Sequence, residues 1–183
     1  MNIKQILIYI IKFGECMESQ STKEHKHESS NDINCGIITL SDSRSKKEDL
    51  SGDFLENEIK ERYNLTSRKI IKDEKDDLID AIEEMIGENA DVILTTGGTG
   101  ISERDITVET VEKLFDKKID GFGEIFRNQS YIEIGSGALI SRATAGVYKK
   151  CCIFSMPGSL NAVKTASKII IDELPHVVHH AKK

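Results

Sequence analysis

The chain lacks a C-x-x-C pair, a surplus of positive charge and any apolar run long enough to cross a bilayer. Each absence removes a class of function. The four cysteines, Cys16, Cys35, Cys151 and Cys152, have neither zinc-ribbon nor dithiol spacing and read as reduced thiols of a cytoplasmic protein. On a strand, adjacent Cys151 and Cys152 would point to opposite faces. The formal net charge of -6 argues against nucleic acid as a partner, since that role needs a basic face. A small phosphorylated ligand stays open, because Arg44, Arg104, Arg127 and Arg142 can outweigh the global balance locally. The apolar patch at residues 6–11 is too short for a membrane span, so no membrane partner is expected.

The first thirty or so residues stand apart. Lys4 and the brief patch behind it have the look of a secretory signal, but no small-residue cleavage pattern follows. The polar stretch at 18–30 has too little apolar surface to fold alone. Residues 1–33 therefore read as a disordered polar tail, with Met17 as an alternative start. Residues 34–183 read as one α/β domain, an ordinary size for a single core.

Within that domain strand and helix patterns alternate. Short apolar strands are expected at 35–40, 67–71 and 91–95. Between them lie a helix capped by Ser51, with Phe54, Leu55 and Ile59 on one face, and a helix begun by Asp76 or Asp77. The second buries Leu78, Ile79, Ile82, Met85 and Ile86 and ends at Gly87 as C-cap. This βαβαβ series predicts a mainly parallel sheet covered on both faces. Further on, helices are expected at 107–115 and 121–132, the latter with Phe122, Ile125 and Phe126 inward. Strands at 145–148 and 151–156 form a hairpin around Lys149 and Lys150, which makes the sheet mixed. A long helix follows residues 157–159, with Val163, Ala166, Ile169 and Ile170 on one face.

Ligands of open α/β sheets bind beyond the carboxyl ends of the parallel strands. That rule gathers four polar loops on one rim, at 41–44, 73–77, 95–105 and 157–161. The third carries Thr95-Thr96-Gly97-Gly98-Thr99-Gly100 with Asp105 close behind. It is neither a Walker A loop nor G-x-G-x-x-G, since Glu103 stands where the last glycine should be. Glycines let amides turn toward an anion, threonines add donors, and a carboxylate nearby can hold a metal against phosphate. A plain tight turn is the competing reading. Pro157-Gly158-Ser159 is either a second anion site at a helix N-terminus or an ordinary N-cap. Asp73 and Asp105, on neighbouring loops, suit Mg²⁺, which takes one or two carboxylates and completes its shell with water and phosphate oxygens. Glu74, Asp76 and Asp77 read as first-turn charges of the following helix. His176, His179 and His180 could share a helical face as metal ligands, but dipole compensation at a helix end explains them as well.

Five stretches now stand in order: Lys72-Asp73-Glu74, residues 95–100 with Asp105, Gly121-Phe122-Gly123-Glu124, Ser141-Arg142-Ala143-Thr144-Ala145-Gly146, and Pro157-Gly158-Ser159. Together they resemble the molybdenum cofactor biosynthesis proteins of the MoaB/Mog type, the molybdopterin adenylyltransferase family. The resemblance covers residues 35–180 and leans toward the MoaB branch. It implies a three-layer α/β/α sandwich with a mostly parallel mixed sheet, assembled as a homotrimer or homohexamer. It also implies adenylylation of molybdopterin with Mg-ATP, releasing pyrophosphate; a noncatalytic molybdopterin- or nucleotide-binding protein is the alternative. Asp73 and Asp105 match the family's catalytic acidic positions and are assigned to Mg²⁺. Gly97, Gly98, Gly100 and Ser159 match its ligand-binding loops, and Ser41, Thr96, Thr99, Gly158 and Arg142 are expected beside them. Arg44, Arg104 and Arg142 are the expected phosphate neutralisers.

Overall fold

The computed structural model describes residues 32–42 and 48–183. Residues 1–31 of the expected tail and Arg44 lie outside them, whereas Ile33 is buried in the core and its carbonyl accepts from Asn64 N at 3.0 Å. Six strands, β1 (Asn34–Leu40), β2 (Asn64–Ile71), β3 (Val92–Thr96), β4 (Lys117–Lys118), β5 (Thr144–Tyr148) and β6 (Cys151–Met156), form one sheet in the order β2-β1-β3-β6-β5-β4. β2, β1, β3 and β6 run parallel, and the hairpin partner β5 is antiparallel to β6 and to β4. The hairpin turns on Lys149 and Lys150, both at positive φ.

Strand alternation sends side chains into two separate cores. Cys35, Ile37, Val92, Leu94, Cys152, Phe154 and Met156 face one layer. It is built by α1 (Leu50–Lys60), α4 (Asp120–Ile134), α5 (Leu160–Ile170) and α6 (Leu174–Lys182). Ile38, Leu40, Ile93, Cys151 and Ile153 face the other, covered by α2 (Lys75–Gly87) and α3 (Thr107–Leu114). Cys151 and Cys152 thus enter different layers, as the alternation predicts. The fully buried β3 has both faces covered, which is why Val92, Ile93 and Leu94 are apolar in succession without alternation.

Several local expectations are corrected. The α1 cap is Asp49, whose carboxylate accepts from the Gly52 amide at 3.0 Å. Ser51 lies inside the helix and donates its hydroxyl to Gly158 O at 2.9 Å. α2 starts at Lys75, and Asp76 and Asp77 sit in its first turn. It passes through Gly87, and the positive φ that ends the turn belongs to Asn89. β2 begins three residues earlier than expected, at Asn64. Ile125 points outward, 56% exposed, because the buried stripe of α4 runs through Phe122, Gly123, Phe126 and Ser130.

Candidate functional site

The chain leaves β1 toward β2 on one side and β3 toward β6 on the other, so the order of connections reverses between β1 and β3. Outside the carboxyl ends of strands at such a reversal the departing loops diverge and leave a crevice. A cleft of about 340 Å³ opens there, lined by Ser41, Asp42, Asp73, Gly97, Gly98, Arg104, Asp105 and Gly158 among others. The four rim loops predicted from sequence each contribute.

The glycine turn has a steric reason for its composition. Gly97 and Gly98 both have positive φ, 102° and 60°. A Cβ on Gly97 would collide with Leu40 O, and one on Gly98 would lie 2.5 Å from Thr107 Oγ1 and 2.8 Å from Asp73 Oδ1. The turn is held by Gly97 N donating to Met156 O at 3.1 Å, Thr107 N to Gly98 O at 2.9 Å and Thr107 Oγ1 to Gly97 O at 2.9 Å. The hydroxyls of two threonines have partners within the protein. Thr95 Oγ1 donates to Ser155 Oγ inside the sheet, and Thr96 Oγ1 to Pro157 O, stitching β3 to β6. Thr99 is buried, and its carbonyl accepts from Arg142 Nε at 3.0 Å.

Asp73 and Asp105 sit in contrasting surroundings. Burial, reinforced by the negative charge of Asp42, pushes the Asp73 carboxyl above the ordinary carboxylate range. Asp105 is held below that range, chiefly by the Ser102 hydroxyl at 2.6 Å, with the Ser102 amide at 2.9 Å adding to it against the effect of burial. Ser41 is set at the rim by its amide, which donates to Ile71 O at 2.9 Å.

Two assigned phosphate contacts are engaged elsewhere. Both terminal nitrogens of Arg142 meet the Glu109 carboxylate, so this guanidinium braces the turn at Thr99. Ser159 Oγ accepts from Ala162 N at 3.3 Å as the N-cap of α5. It lines a neighbouring cavity of about 170 Å³ together with Ser130, Glu133 and Ser141. Arg104 does reach the main cleft, but its Nη2 and Nε bond Asp42 Oδ2 at 2.7 and 3.2 Å, and its Nη1 bonds Glu74 Oε1 at 3.0 Å. The roles of Asp42 and Glu74 were missed, although both loops were placed on the rim; a charged turn residue looks the same in sequence whether or not a distant arginine meets it.

The donor chemistry fits a hard cation. Among the described residues no three His, Cys, Asp or Glu side chains gather to hold a metal, His176, His179 and His180 included. Asp73 and Asp105 supply two carboxylates in one cleft, the number Mg²⁺ uses when waters and phosphate oxygens fill the remaining positions.

With that geometry in view, comparison with known proteins is decisive. Residues 36–176 match the family model of a probable molybdopterin binding domain. The chain belongs to this molybdopterin-binding family. It is 46% identical to molybdenum cofactor biosynthesis protein B of Bacillus subtilis over 89% of this chain and 98% of that protein. It is 42% identical to the molybdopterin adenylyltransferase of Pyrococcus furiosus over 88% of this chain and 98% of that protein. The crystal structure of the tungsten cofactor synthesizing protein MoaB from Pyrococcus furiosus superimposes with a TM-score of 0.80, covering 85% of this chain and 100% of that one. The family resemblance read from the five ordered motifs is therefore correct, as is the α/β architecture it implied.

Proposed function

We propose that this protein adenylylates molybdopterin with Mg-ATP, releasing pyrophosphate, in the biosynthesis of a molybdenum or tungsten cofactor. Family membership supports the pathway, and the adenylyltransferase among the relatives supports the reaction class. The observation carrying the reading is the meeting of Asp73, Asp105 and the Gly97–Gly98 turn in one cleft at the reversal point of the sheet.

The chemistry asks little of proton transfer. The nucleophile is an oxygen of molybdopterin's own phosphate, already anionic near neutral pH. It attacks the α-phosphorus of ATP as the bond to pyrophosphate breaks, so the protein's work is alignment and charge compensation. Asp73 and Asp105 would hold Mg²⁺, which when bound neutralises phosphate charge. The glycine turn lets backbone approach the nucleotide where any side chain would block it. Ser41 and Gly158 border the same space, and the cavity beside Ser159 adjoins the 157–159 loop.

A cytoplasmic homotrimer or homohexamer completes the proposal, with neither nucleic acid nor membrane as partner. Ile132, Ile134, Leu139 and Ile140 are each more than half exposed along the end of α4 and the 3₁₀ turn Gly135–Ile140, an apolar surface suited to a second copy. No helix among the described residues is long and apolar enough to cross a membrane.

The test is to mix the protein with molybdopterin, ATP and Mg²⁺ and to measure pyrophosphate and adenylylated product. Product formation dependent on all three is expected. Binding of both ligands without product would overturn the transferase reading in favour of a noncatalytic binding protein.

A further inference from the structure

Asp73 and Asp105 arrive from different loops, and no element of secondary structure links those loops directly. Asp73 follows β2, and Asp105 lies in the turn between β3 and α3. For the two carboxylates to share a ligand, something must set their separation. Arg104 is the side chain placed to do it. It adjoins Asp105 in sequence, and its guanidinium crosses the mouth of the cleft to Glu74, the neighbour of Asp73, at 3.0 Å. Its other edge makes a two-point contact with Asp42 on the loop after β1, at 2.7 and 3.2 Å. Asp42 in turn accepts from the Asp73 amide at 3.3 Å. One planar cation thus ties three loops together, and the lattice closes on the backbone of Asp73 itself.

We propose that Arg104 is a positioning residue that fixes the spacing of Asp73 and Asp105 through Asp42 and Glu74, rather than a direct contact for phosphate. The assignment of Asp73 and Asp105 to the cation rests on the proposed function above; the tether does not. Exposed ion pairs contribute little singly, but forked arginine geometry and a network of charges are the conditions under which they count. Arg104 meets both. A lysine in its place would keep the charge and lose the fork, so it could hold one loop but not brace three. Removing the tether lowers the fraction of molecules whose carboxylates are correctly spaced, and the apparent cation affinity falls by the same fraction.

The experiment is a double-mutant cycle of Arg104→Gln and Glu74→Gln, read by amide hydrogen exchange over residues 72–75 and 98–107 without substrate. Glu74 does not line the cleft, so its removal probes the tether alone. Each single variant is expected to speed exchange in both segments by roughly two- to fivefold, the double variant no further than the Arg104 variant, and global melting is expected to stay unchanged. Titration with Mg²⁺ alone, followed by protection of the same amides, should show the apparent dissociation constant raised by a similar factor. Arg104→Lys should recover part of both effects. Independent, additive effects of the two substitutions, or unchanged exchange in the Asp73 loop when Arg104 is removed, would overturn the proposal. Weakened ATP binding in Arg104→Gln alone, with Glu74→Gln silent, would do the same by making Arg104 a phosphate contact. Because exchange and Mg²⁺ titration need no turnover, failure of the adenylyl-transfer assay leaves this test standing.

Discussion

Asp73 occupies the space that a side chain on Gly98 would need: its Oδ1 lies 2.8 Å from where that Cβ would stand. Glycine at position 98 is therefore a condition for the carboxylate's placement as well as for the turn. Gly98→Ala meets two penalties, left-handed backbone at φ 60° and contact with Thr107 Oγ1 and Asp73 Oδ1. The backbone cost alone is on the order of 1 kcal/mol. Pyrophosphate release is expected to fall at least about tenfold, the rate change carried by about 1.4 kcal/mol, with a melting temperature lower by a few degrees. Wild-type turnover would show that Asp73 need not hold its position.

Asp105→Asn keeps the shape and retains an acceptor for Ser102, so it removes charge with little else. Turnover is expected to drop by at least about tenfold, with the fold intact by circular dichroism. Unchanged turnover would take Asp105 out of the cation site.

The fully buried Asp49 carboxylate accepts from Thr39 Oγ1 at 2.8 Å, Gly52 N at 3.0 Å and Arg68 Nη2 at 2.9 Å. Burial pushes its pKa upward, but these partners outweigh it and hold the group below its ordinary value of 3.8. A carboxylate with a depressed folded pKa contributes stability that is complete above the unfolded value and is lost as pH falls through the folded one. Asp49→Asn is expected to cost on the order of 3 kcal/mol in urea unfolding near neutral pH, since Arg68 keeps a buried charge with fewer partners. The gap between variant and wild type should narrow below pH 3.8. A constant gap across pH would show that the carboxylate's charge is not what matters.

Introducing charge into the apolar surface at the end of α4 tests the assembly. Ile132→Glu with Leu139→Glu is expected to yield the mass of a single chain in light scattering, because both positions are well exposed in the isolated chain, at 70% and 89%. An unchanged assembly would place the interface elsewhere.

The legible parts of this molecule were those where one stretch of chain carries its own signal. The apolar runs ending at Leu40, Thr96 and Met156 announced buried parallel strands, and the polar groups just beyond them announced the rim. Asp73 stood out because it follows β2 closely and Asp105 because it stands behind the glycine turn, and the structure brings both to one cleft. What failed to show was pairing across distance. Asp49 was passed over for Ser51 as the cap, because its buried partners Thr39 and Arg68 come from β1 and β2. Nothing near Arg142 in sequence reveals Glu109 as its partner. Ile125 was misplaced for a geometric reason: beside Phe122 and Phe126 it lies on the shoulder of the helical stripe, where the width of the covered surface decides burial.

The adjacent sulfurs of β6 have a practical consequence. Burial pushes the Cys152 thiol up to about 12 and raises that of Cys151 as well, so neither is reactive while the fold is closed. Because one side chain enters each layer, their alkylation rates report separately on the two halves of the molecule. Mass spectrometry of partly labelled protein would then time the opening of each helical layer against the other, using chemistry the chain already carries.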